Sequence, residues 1–224
     1  MLNKGIRLGK FFGTELILNP LWFIILVVFA LPPLIEGNLV AATTMILFLI
    51  ILYISVIGHE FAHIFAGRRY GIKTRKVVIS FFGGAAMMDR IPFGLPETLI
   101  GIAGPAFSCW VGTLIVLPFL LGIPHTNAIS AFIFQVGQIN LFLGLFNILP
   151  IFPMDGGRIL RGILYHFTKK IVLSTKIVMI VGFCTIPLAF LTMLPFNLLT
   201  IVIMGLIVKM CIDEYDMIKN MYND

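Results

Sequence analysis

The chain has 224 residues, of which 59% are hydrophobic and 12% charged, with a mean hydropathy of +1.06. A soluble domain carries about 25% charged residues. Half that share, with apolar runs long enough to cross a bilayer, excludes an ordinary soluble domain and indicates a polytopic membrane protein. The net charge of +6 does not point to a nucleic-acid partner, because no Lys/Arg stripe falls on a soluble segment.

In chain order, residues 5–19 alternate polar and β-favouring apolar residues and are expected to form a strand or hairpin. Apolar spans are expected near 20–36, 39–66, 97–122, 127–149, 171–194 and 196–212. The first contains Pro32-Pro33 and should break near its outer end. Between the second and third, "KVVISF" reads as a strand with an exposed edge, Gly83-Gly84 as a turn and "AAMM" as a second extended piece. The fold class is therefore an all-α polytopic membrane protein, with six transmembrane helices and a small membrane-associated β-sheet. It is read as one domain over 1–224 whose core is 39–155. The connections after the first, third and fifth spans hold no Lys or Arg, and all sixteen basic residues fall on the other side. That asymmetry predicts a multi-pass cell-membrane protein with both termini cytoplasmic. Cys109, Cys184 and Cys211 have no ligand spacing and read as apolar packing residues.

Polar residues inside the spans carry the chemistry. His59 and His63 are one helical turn apart and project from one side of the second span, as two ligands of a tetrahedral metal would. Glu60 follows His59 and can reach water held at such a metal. A charged residue at the centre of a membrane helix costs about 2.5–3.5 kcal/mol or more, so this group is read as functional. Counted back from Arg68 at about 1.5 Å per residue, His63 and His59 lie about 8 and 14 Å inside the cytoplasmic end. In the fourth span Gly137, Asn140, Gly144 and Asn147 share a face suited to close helix packing.

A catalytic zinc site needs a third protein ligand and an open position. His125 is expected on the outer side and His166 in a solvated basic stretch. Glu15, Asp89 and Glu97 read as interfacial charges. Asp155 stands in "NILPIFPMDGGRIL", where Pro150 and Pro153 should hold the chain extended. There Gly156-Gly157 should permit a bend that turns the carboxylate inward.

"GHEFAH" in one span together with "FNILPIFPMDGG" after a later one resembles the site-two protease family of intramembrane zinc metalloproteases. "FFGGAAMM" and "GIAGPAFS" also look like segments of that family, so the resemblance covers most of residues 5–165. It implies one zinc held by His59, His63 and Asp155, Glu60 as catalytic base and a role for Asn147 near the substrate carbonyl. It further implies a membrane-embedded sheet built partly from 76–88. The expected activity is hydrolysis of peptide bonds within or near transmembrane segments of membrane-protein substrates, in regulated intramembrane proteolysis. The partners implied are such a substrate and the lipid bilayer; the oligomeric state is left open. Three rival readings are a multispanning peptidase trimming prenylated termini, a metal transporter and an inactive membrane chaperone. The Asp155 loop, the absence of outer-half ligands and the intact polar set argue against them in turn.

Overall fold

The computed structural model describes residues 5–80, 83–90, 92–124, 126–190 and 198–222. The order is β1 (Ile6–Phe11), β2 (Thr14–Leu18), α1 (Leu21–Ile35), α2 (Leu39–Arg69), β3 (Thr74–Ser80), β4 (Gly83–Met88), α3 (Leu95–Leu120), α4 (Ala128–Asn147), α5 (Asp155–Thr168), α6 (Ile171–Phe190) and α7 (Leu198–Met221). By length and composition, four of the described helices can cross a membrane: α2, α3, α4 and residues 171–188 of α6. In the most apolar window of α2 only 11% of residues are buried. A large unburied apolar surface on a long helix is what lipid contact requires. The first expected span is only 15 residues long as α1. The sixth begins outside the described residues, and α7 is not among the four.

The chain divides into two compact units. The first comprises residues 1–90 and 106–144, the second 91–105 and 145–224. In the first, one sheet has the order β1-β2-β3-β4. β1 and β2 form the expected antiparallel hairpin. β2 then pairs parallel with β3, and β3 antiparallel with β4. Alternation puts Leu16 and Leu18 of β2, with Val77 and Ile79 of β3, on one face. They bury against Trp22, Phe61 and Ile64.

Two expectations in this unit are corrected. Gly83 and Gly84 do not form the turn: they pair with Ser80 and Ile79 as the start of β4, and the intervening residues 81–82 lie outside those described. Nor is β3 an exposed edge, because β2 and β4 occupy both of its sides. α1 ends near its expected outer limit, at Ile35, just past Pro32-Pro33. The prolines lack N–H groups, but their carbonyls accept from Glu36 and Asn38, so the pair is tolerated in the final turn.

In the second unit, α5 packs on α6 and α6 on α7 around Ile151, Phe152, Val178, Ile186, Ile207 and Cys211. Glu97, expected as an interfacial charge, is buried instead at 3% exposure. Its Oε1 accepts from Arg161 Nε at 2.8 Å and Nη2 at 2.6 Å, while Arg161 Nη1 donates to Glu214 at 2.6 Å. The guanidinium also lies 5.0 Å from the centre of the Phe152 ring. Burial opposes charge on Arg161, yet the two carboxylates hold its pKa above the ordinary value. Losing one partner of a buried pair leaves an uncompensated charge, at a cost of about 3–5 kcal/mol. Arg161→Met should therefore lower the thermal unfolding midpoint in detergent substantially. Glu97→Leu/Arg161→Met should recover part of the loss; equal loss in both variants would refute the coupling.

Candidate metal site

α2 supplies His59, Glu60 and His63. Their helix is apolar for most of its length and ends on Arg68 and Arg69, which suit its negative dipole end. His59 and His63 are 3% and 4% exposed, with ring centres 4.9 Å apart and ring planes inclined by 75°. Glu60 is half-buried. The His59 Nδ1 stands 2.9 Å from Ser108 Oγ, and Ser108 is fully buried on α3. This contact occupies Nδ1, so a cation would be bound through Nε2. Gly58 makes the approach possible: a Cβ there would come within 2.7 Å of the Phe107 ring. Ser108 lies within the "GIAGPAFS" segment but carried no assigned role. Its signal was a hydroxyl in a span, where a polar group needs a partner.

Asp155 is the first residue of α5 and is 7% exposed. The segment before it is not extended as expected. It folds into successive turns, with Ile148 donating to Leu145, Leu149 to Phe146 and Ile151 to Leu149. Gly156 and Gly157 do not bend the chain either, since both are helical. They are required by close approach: a Cβ on Gly156 would collide with the carbonyl oxygens of Ile148 and Leu149. One on Gly157 would meet the Ile151 backbone at 2.8 Å. The turns thus press directly on the first turn of α5, and only glycine admits them. Farther along, Gly101 and Gly162 give the same closeness between α3 and α5, facing Ile159 and Thr98.

His59, His63 and Asp155 come together. A ligand atom from each lies within 4.8 Å of the other two, and all three residues are buried. Ligands about 2.1 Å from one tetrahedral ion stand about 3.4 Å apart. Two imidazole nitrogens with one carboxylate match the three protein ligands of catalytic zinc sites. Asn147 ends α4 and is half-buried. The other candidates do not join: Glu15 pairs with Arg7 and Lys76, and exposed Asp89 accepts from the Lys73 N–H. His166 is exposed in the last turn of α5. His125 lies outside the described residues.

The known proteins that this chain resembles include zinc metalloproteases. The profile of peptidase family M50 matches residues 121–194. The zinc metalloprotease MJ0392 of Methanocaldococcus jannaschii is 36% identical over 184 residues, covering 81% of this chain and 51% of that protein. A putative zinc metalloprotease of Synechocystis, sll0528, is 33% identical over 201 residues, covering 79% and 49%. The chain thus spans about half the length of the curated relatives it matches. The solved structure of a site-2 protease from Methanocaldococcus jannaschii superposes with a TM-score of 0.69 at 31% identity, covering 95% of both chains.

The partner of a metal-binding imidazole typically contributes 10–100-fold in metal affinity. Ser108→Ala should weaken metal binding by about that factor, measured by competition with a chelating indicator, while the helical circular dichroism is retained. Unchanged affinity would show that the hydroxyl does not orient His59.

Proposed function

The chain belongs to the site-2 protease family, peptidase family M50, and on that premise we propose that it is a zinc-dependent endopeptidase acting within the membrane. Its substrates are peptide bonds in or beside transmembrane segments of other membrane proteins, as in regulated intramembrane proteolysis. The observation that carries the reading is the buried cluster of His59, His63 and Asp155. These residues would hold one zinc ion. When bound, the ion supplies Lewis-acid chemistry: it makes water nucleophilic at neutral pH and polarises the scissile carbonyl.

Glu60 is the base. It neighbours a ligand on the same helix and is less buried than the two histidines. It takes the proton from the attacking water and returns it to the leaving amine. Asn147 donates a hydrogen bond to the oxygen on which charge develops. Ser108 keeps His59 in the tautomer that binds through Nε2. A helical substrate must unwind before attack, since its carbonyls are engaged in intrahelical bonds. Because β3 is enclosed in the sheet, the strand suited to pair with unwound substrate is β4, at the end of the strand order. α1 and α7 complete six membrane passages, with both termini on the cytoplasmic side.

The test is incubation of purified protein with a panel of single-span peptides in detergent, with products identified by mass spectrometry. Wild type should cleave at least one peptide at a defined bond. Glu60→Gln should bind a full equivalent of zinc and cleave none. Asn147→Ala should be slowed about 10²–10³-fold, the usual effect of losing one oxyanion donor. Loss of zinc from Glu60→Gln would make Glu60 a ligand, and undiminished cleavage by that variant would overturn the mechanism.

A further inference from the structure

We propose that the face of the sheet opposite its apolar core is a binding groove for the headgroups of anionic phospholipids. A cavity of about 500 Å³ lies there, lined among others by Arg7, Lys10, Glu15, Arg75 and Lys76. Four cationic side chains thus surround one carboxylate. Glu15 engages two of them, Arg7 at 3.0 Å and Lys76 at 3.6 Å, and leaves a surplus of positive charge.

This gathering is a product of the strand irregularities. Arg7 and Lys10 are three residues apart, so a regular strand would put them on opposite faces. A register shift between Arg7 and Gly9 sets them instead opposite Ile17 and Glu15, which share one face of β2. A second shift, between Thr74 and Lys76, brackets Arg75. The two irregularities collect basic groups that the alternation of the sequence would have dispersed.

Charge complementarity calls for an anion, and the surroundings favour lipid as its source. Leu8, Phe11 and Phe12 are 46%, 47% and 70% exposed. Arg68, in the last turn of α2, donates to the Phe12 carbonyl oxygen and, at 3.2 Å, to Thr14 Oγ1. The hairpin turn is thereby tied to the basic end of a helix long enough to cross the bilayer, the level at which headgroups lie. Exposed aromatic and aliphatic side chains beside a basic cluster are the composition of an interfacial anchor, and each basic residue near an anionic surface is worth a comparable increment of binding. The inference rests on α2 as a membrane span and is independent of the protease reading.

The experiment uses the full chain, purified in detergent and freed of native lipid. It is exposed to equal amounts of dioleoyl phosphatidylglycerol and dioleoyl phosphatidylcholine and analysed by native mass spectrometry. Wild type should retain phosphatidylglycerol preferentially, by about fivefold or more. Arg7→Gln/Lys10→Gln/Arg75→Gln/Lys76→Gln should abolish the preference. Lys10→Gln/Arg75→Gln, which keeps both partners of Glu15, should reduce it, and Glu15→Gln should increase it. Lys169→Gln/Lys170→Gln/Lys176→Gln/Lys219→Gln removes as many charges elsewhere and should leave it intact. The proposal is overturned if the groove variants keep the preference, if the distant set loses it equally, or if a hexaglutamate peptide displaces the lipid at equimolar concentration.

Discussion

A polar group inside a chain this apolar must be met by a partner, because neither lipid nor a packed core replaces the water it gives up. Several buried polar groups in each unit obey this constraint. His59 is met by the Ser108 hydroxyl, Glu97 by Arg161, and Arg161 by Glu214 as well. α3 contributes to two of these pairings, with Glu97 near its start and Ser108 three turns later. One helix thus gives a partner to the helix that begins with Asp155 and another to a histidine of α2. That division of labour explains why α3 carries polar residues at all.

Close backbone approach is the second determinant. Gly58 lets the Phe107 ring lie against α2 one residue before His59. Gly156 and Gly157 let the turns of 148–151 lie against α5 directly after Asp155. In both places the glycine adjoins a metal-ligating candidate and removes a Cβ that would push the neighbouring segment away. The Cys211 thiol reinforces the second contact by donating to the Phe152 carbonyl at 2.9 Å. A ligand whose backbone is gripped on both sides keeps its side chain where it is needed, without strain in the ligand itself.

Much of the site was legible because it depends on short-range geometry. The interval between His59 and His63 sets their common face whatever surrounds the helix. Asp155 was legible as the only acid in the connection after the fourth span. The readings that failed depended on long-range pairing or on packing. Nothing near "KVVISF" reveals that β2, about sixty residues earlier, pairs with it in parallel and removes its free edge. Glu97 read as interfacial because its partner Arg161 lies 64 positions away. The Gly156-Gly157 pair reads as a bend in the sequence, whereas in the structure it serves close approach. Glycine signals freedom at a bend and closeness in a helix with equal force, and only coordinates separate the two.

The two buried polar clusters also differ in a way that bears on the metal. The first sets two carboxyl groups, of Glu97 and Glu214, about the one guanidinium of Arg161. The second sets the carboxyl group of Asp155 beside the imidazoles of His59 and His63. In the first cluster the Glu214 side chain is 25% exposed, so water can stabilise the surplus while Arg161 is held between the acids. In the second, His59, His63 and Asp155 are all less than 10% exposed, and a hydrogen bond to Ser108 orients the His59 imidazole. The first cluster contains its own cation, whereas the second gathers two imidazoles and a carboxylate, the donor types of a catalytic zinc site.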